Sequence, residues 1–191
     1  MDKNAIIKYL EKNPTENQEV LIDFVNTSKD LYSRQNVVGH ITGSAFIVSN
    51  DLENALLILH GKYNKWVAPG GHVDPGEDSL FAASRESAEE VGIQDLELLK
   101  PEIFDIDIHR IPAATKHGVF EPEHWHFDVR YLFKIQPNTS VDLNTLEAKG
   151  YKWPLLTEIA QDEDESIRRQ ANKAIEFIQD NLLATNKKLK M

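Results

Sequence analysis

The sequence predicts a mixed α/β domain, and three observations carry that reading. Apolar residues recur at helical spacing over 165–183, where Ile167, Ala171, Ala174, Ile175, Ile178 and Leu182 fall on one side. Over 123–133 the period is two, with His124, His126, Asp128 and Arg130 on one face and Trp125, Phe127, Val129, Tyr131 and Phe133 on the other. Between these patterns, residues 68–93 join a loop rich in glycine and proline to a charged helix.

Taken in order, residues 2–12 read as a helix with Ile6, Ile7 and Leu10 on one side and Asp2 as its cap. Asn13-Pro14 breaks it. Thr15 and Gln18 have capping-box spacing for a second helix ending near Asn26, with Val20, Leu21, Phe24 and Val25 as its apolar stripe. Residues 1–36 are thus an N-terminal helical extension, which could pack on the following domain or form a homodimer contact. Residues 37–49 read as a strand, 51–54 as a turn, 55–60 as the return strand and 65–67 as a further extended segment. Residues 96–109 alternate late on, with Asp105, Asp107 and His109 sharing a face. Residues 110–122 contain Pro112, Gly118 and Pro122 and read as a long loop, of a length often tied to function. The last helix ends near 183–185, and 186–191 is a solvated tail with Lys187, Lys188 and Lys190.

The helix predicted over 78–91 can be capped by Asp78 or Ser79 and stopped by a left-handed Gly92. Glu86, Glu89 and Glu90 sit at i, i+3 and i+4, which gathers three carboxylates on one face. Leu80, Ser84, Ser87 and Val91 fall opposite and face the core. Crowded carboxylates repel one another unless a hard divalent cation joins them, and Mg²⁺ takes oxygen ligands. Arg85 can hold Glu89, one turn on, in place. The plain alternative is a solvated acidic face.

The spacing Gly71, five residues, Glu77, seven residues, Arg85-Glu86, then Glu89-Glu90, Gly92 and Ile93 resembles the signature of the Nudix hydrolases. The departure is Ser87, where that family carries an aliphatic residue. The resemblance implies an α/β/α sandwich with a mixed curved sheet over 37–185. It also implies metal-dependent hydrolysis of a nucleoside diphosphate linked to a second group, with Mg²⁺ or Mn²⁺ as cofactor and a small nucleotide-type molecule as substrate. In this sequence it points to Glu86, Glu89 and Glu90 as metal ligands, with the Gly71 carbonyl added. Arg85 would orient the carboxylates, and Glu77 and Gly92 would be structural. Glu89 is the first choice for general base, with Glu121 and Glu123 as outside candidates. His124, His126 and Asp128 would orient substrate if their strand faces the metal helix; satisfied structural histidines are the alternative. His124 and His126 by themselves are too few for a metal site.

Composition narrows the remaining classes. The net charge is −10 over 191 residues, which argues against a duplex nucleic-acid partner. No run of about 18 apolar residues occurs, so no membrane span is expected. There is no cysteine, which excludes thiolate metal sites and cysteine nucleophiles, and with them an isopentenyl diphosphate isomerase. With no signal-peptide pattern at the start, a cytoplasmic location is expected. The other readings are a non-catalytic nucleotide-binding sensor on the same fold and an interaction protein. The few lysines of the first 30 residues are outnumbered by acids, which weighs against a DNA-reading sensor. Substrate subgroup signals for coenzyme A, NADH and ADP-ribose are not met in this sequence.

Overall fold

The computed structural model describes residues 2–116 and 119–188. Of the predicted tail at 186–191, residues 186–188 instead continue the last helix, while 189–191, and His117 and Gly118 of the predicted loop, lie outside the described residues. Chain contacts divide the protein into two compact units: 1–45, 70–86 and 100–131 form the first, and 46–69, 87–99 and 132–191 the second.

In the first unit, α1 (Asp2–Lys12) and α2 (Gln18–Thr27) bury Ile6, Tyr9 and Leu10, and Leu21, Phe24 and Val25. Ile6, Leu10, Leu21, Phe24 and Val25 are positions expected from the helical period; Tyr9 joins them, while Ile7 and Val20 are only half-buried. Phe24 stacks on Phe127 with ring centroids 4.8 Å apart. The extension therefore packs on the sheet of its own unit. The predicted capping box is half-formed. Gln18 Oε1 accepts from the Thr15 amide at 3.2 Å, but the helix begins only at Gln18, after a left-handed Asn17. Asp2 reaches beyond its own helix. Its carboxylate accepts from the Ser79 amide at 3.1 Å and from the Tyr32 hydroxyl at 2.7 Å. It thus places negative charge at the amino end of the following helix, α3 (Ser79–Val91).

The main sheet of this unit takes in most of β1 (Gly39–Val48), β4 (Gly70–His72), β6 (Asp105–Ile111) and the start of β9 (His124–Ile135). β4 pairs antiparallel with β1, placing Thr42 opposite His72. β6 pairs antiparallel with β9, placing His109 opposite His126. β1 neighbours β9, and their contacts climb together, Val38 with Trp125 and Thr42 with Asp128. Those two strands are therefore parallel and the sheet is mixed. Residues 110–122 are less of a loop than their prolines predict. β6 runs to Ile111, and β7 (Ala114–Lys116) pairs with β8 (Val119–Glu121). Strand pairing overrides local composition there.

In the second unit, β2 (Leu57–His60) lies between β3 (Trp66–Val67) and β10 (Ala148–Lys152). β5 (Leu96–Leu98) pairs with the end of β9, placing Leu98 opposite Phe133. A short α4 (Leu156–Ile159) precedes α5 (Glu165–Lys188), whose Ile167, Ala171 and Ala174 are buried. Neither β4 nor β10 is legible from periodicity, being three and five residues long and glycine-containing. No helix among the described residues is long and apolar enough to cross a membrane.

Candidate active site

Helix α3 is fixed at both ends. Asp78 Oδ1 accepts from the Phe81 amide at 3.0 Å, so Asp78 is the cap. At the other end Gly92 has φ 69°, and its amide bonds back to the Ala88 carbonyl at 3.1 Å, the 5→1 bond of an αL cap. The side of α3 turned inward is centred on Ala83, Ser87 and Val91, with Ala82 and Glu90 beside them. Leu80 and Ser84 are only half-buried. The predicted inner face is thus rotated toward Glu90. The three glutamates consequently differ: Glu86 is half-buried, Glu89 exposed and Glu90 buried.

The loop before α3 is tied down by Arg85 and Glu77. Arg85 Nε lies 3.0 Å from Glu77 Oε1, Arg85 Nη1 3.0 Å from Glu86 Oε1, and Arg85 Nη2 2.7 Å from the His72 carbonyl oxygen. The Glu77 carboxylate also accepts from the Asp74 amide at 3.1 Å. Burial opposes ionisation of Glu77, but the bonds from Arg85 and Asp74 prevail and hold its pKa below the ordinary value. Arg85 thus grips Glu77 and Glu86.

Two glycines let α3 approach the sheet. A Cβ on Gly43 would stand 2.1 Å from the Ser79 carbonyl oxygen, and one on Gly71 2.4 Å from Glu86 Oε1. The Glu86 carboxylate therefore lies directly against the Gly71 backbone. Tyr131 of β9 also meets α3, its hydroxyl 2.7 Å from Ser79 Oγ. Gly43, Gly71 and Tyr131 all face the odd-numbered side of their strands, so α3 lies on that side.

His124, His126 and Asp128 lie on the other side. The strand alternates as expected, but its polar face turns away from α3, so these side chains do not point at the helix glutamates. Asp128 is also committed within the sheet. Its Oδ1 accepts from Thr42 Oγ1 at 2.9 Å and from Ser44 Oγ at 2.7 Å, and its Oδ2 from Arg130 Nε at 2.7 Å. Arg130 further meets Asp105 Oδ2 at 3.1 Å and Asp107 Oδ2 at 3.4 Å. Of the two outside candidates for general base, Glu121 lies near His40, and Glu123 is exposed and paired with Arg110.

The same polar face brings together histidines that the sequence leaves apart. His72 on β4, His40 on β1, His124 and His126 on β9 and His109 on β6 form a band across four neighbouring strands. His40 and His126 are held neutral. Burial, then the neighbouring histidines, pushes them from 6.5 to about 3 and about 2; Arg34 adds to the shift at His40, where Glu121 partly opposes it. His40 and His72 went unnoticed in the sequence because only strand pairing makes them neighbours of His126.

An α/β fold with a glycine-rich loop, an arginine-clamped glutamate and a carboxylate-bearing helix defines a class of phosphoanhydride hydrolase. Residues 40–175 match the profile of the NUDIX domain, and the chain belongs to that family of hydrolases. It is similar to a probable DHNTP pyrophosphohydrolase of Lactococcus lactis, 29% identical over 71% of this chain and 81% of that protein. It is similar also to a putative 8-oxo-dGTP diphosphatase of Bacillus subtilis, 44% identical over 58% of this chain and 64% of that protein. The asymmetrical bis(5'-nucleosyl)-tetraphosphatase of Mus musculus is 30% identical over 59% and 71% of the two chains. Among solved structures, a NUDIX-family hydrolase from Clostridium perfringens superposes with a TM-score of 0.54 at 25% identity, covering 73% of this chain and 97% of the other.

Proposed function

We propose that this Nudix enzyme hydrolyses a phosphoanhydride bond in a nucleoside diphosphate linked to a further group, and that the further group extends the phosphate chain. The relatives' names specify a DHNTP, an 8-oxo-dGTP and a bis-nucleosyl tetraphosphate substrate, which supports polyphosphates over sugar nucleotides. The observation that carries the reading is the Glu86 carboxylate, set against the Gly71 backbone and steadied by Arg85.

The donor set fits a magnesium-class cation. Glu86, Glu89, Glu90 and the Gly71 carbonyl offer only hard oxygen ligands, and the cradle at Gly71 is one a Cβ would fill. When bound, such a cation supplies Lewis acidity toward the phosphoryl oxygens and toward water. In this scheme Arg85 keeps Glu86 aimed, while Glu77 fixes Arg85 to the loop. Glu89, exposed on the helix, accepts the proton of the attacking water. The water oxygen bonds to phosphorus, the bridging P–O bond breaks, and a phosphate or nucleotide leaves.

The test is a panel of nucleoside triphosphates, dinucleoside tetraphosphates and sugar nucleotides, assayed with Mg²⁺, Mn²⁺ or EDTA. Polyphosphates should turn over, EDTA should abolish turnover, and Glu89→Gln should lower kcat by about 10²–10³. Binding without hydrolysis across the panel would turn the reading toward a sensor. Full activity in EDTA would remove the metal assignment.

A further inference from the structure

We propose that His40, His124 and His126 form a second metal site, for a transition-metal dication of the zinc class, on the face of the sheet opposite α3. One ligand atom from each of the three residues lies within 4.8 Å of the other two, as closely as a metal site requires. His40 and His124 are only 1% and 6% exposed.

The hydrogen-bond pattern shows which nitrogens are available. Among the described residues neither ring nitrogen of His40 has a hydrogen-bond partner, and neither does Nε2 of His124. His124 Nδ1 lies 2.8 Å from the Pro122 carbonyl oxygen. A carbonyl only accepts, so Nδ1 carries the proton and Nε2 presents its lone pair. A backbone carbonyl that fixes the tautomer in this way is the usual support of a metal-bound imidazole. Buried imidazole nitrogens left without partners cost stability, a cost that a bound cation would offset.

The positions follow from the sheet. His124 and His126 are two apart on β9 and share a face, and His40 stands beside them on parallel β1. The ring centroids are 5.1 Å apart for His40 and His124, 4.6 Å for His40 and His126, and 5.3 Å for His124 and His126. A cation there ties the starts of two neighbouring strands together. Three imidazoles with one position left open are a known zinc arrangement, and nitrogen donors select zinc, cobalt, nickel or copper over magnesium. His124 also lines a cavity of about 180 Å³ with Val37, Val38, Arg110, Glu123 and Trp125, which supplies an entry path. The site shares no ligand with the glutamates of α3, so the two metal assignments stand or fall separately.

The experiment uses the full chain without a polyhistidine tag, stripped with chelator and titrated with Zn²⁺ and, for its visible spectrum, Co²⁺, in excess Mg²⁺. One equivalent should bind, Co²⁺ should show the intense bands of a four-coordinate nitrogen site, and melting temperature should rise with Zn²⁺ concentration. His126→Ala and His40→Gln should each lose the bands and weaken binding at least tenfold. The triple change Glu86→Gln, Glu89→Gln, Glu90→Gln should leave both intact. Absence of four-coordinate bands in the unaltered chain overturns the proposal even if a variant fails to fold. Retention of tight binding in folded His126→Ala, or its loss in the triple glutamine variant, overturns it as well.

Discussion

Arg130 shows how one side chain can fix a sheet interior. It is 7% exposed and meets Asp105, Asp107 and Asp128, so one guanidinium serves three carboxylates. Burial works against its charge, but the three carboxylates prevail and raise its pKa. Removing the cation leaves the carboxylates in place with no counter-charge. Arg130→Met should therefore destabilise by about 3–5 kcal/mol, read from the urea midpoint. A change below 1 kcal/mol would show that the aspartates are solvated in a way the burial denies. Glu77 gives a pH prediction. Its folded pKa is depressed below 4.5, so its stabilising contribution is present above that value. As pH falls through the folded pKa the carboxylate protonates, the bonds from Arg85 weaken and stability drops. Melting temperature followed from pH 6 downward should fall less steeply below 4.5 in Glu77→Gln than in the unaltered chain. Parallel curves would place the acid sensitivity elsewhere.

At the scale of elements, the seat of α3 on the sheet is set by what β1 and β4 lack. Gly43 and Gly71 carry no side chain where the helix backbone and Glu86 come closest. A methyl group at 43 meets the Ser79 carbonyl, which is backbone and cannot rotate aside. Gly43→Ala should destabilise by about 1–3 kcal/mol. It should also lower kcat by up to about 10²-fold, because the helix that carries the glutamates must move. Gly150→Ala is the control. A Cβ there has nothing within 4 Å, so stability should stay within about 0.5 kcal/mol and kinetics unchanged. Equal effects of the two changes would refute the steric account. The amino end of α3 depends also on α1, since Asp2 accepts from the Ser79 amide across 77 residues of chain. That link was invisible in sequence, where Asp2 reads as a cap for its own helix.

The whole molecule carries a net charge of −10, the same sign as a polyphosphate substrate. Its long-range field therefore opposes approach, and local cations must overcome it. Shortening the Debye length from about 30 Å at 0.01 M salt to about 8 Å at 0.15 M removes much of that repulsion. At saturating Mg²⁺, kcat/KM should rise over this range. A steady fall would mean that a local positive patch, not the net charge, governs encounter.

How much of this was legible in the sequence depended on how local the information was. Helix α3 could be placed almost to the residue, since Asp78, the Glu86, Glu89 and Glu90 spacing and Gly92 are neighbours along the chain. The two faces of β9 were equally plain, because period two is a local property. The family followed from the same stretch, and the profile over 40–175 confirmed it. Strand order was not local. Only tertiary pairing put β1 beside β9 and β4 beside β1, and so brought His40 and His72 to His126. Only packing decided that α3 would rest on Gly43, Gly71 and Tyr131, leaving the polar face of β9 on the far side. Spacing along a chain fixes which residues share an element's face. Which face meets which neighbour is decided by burying apolar area and satisfying buried polar groups over the whole sheet, and no single segment contains that information.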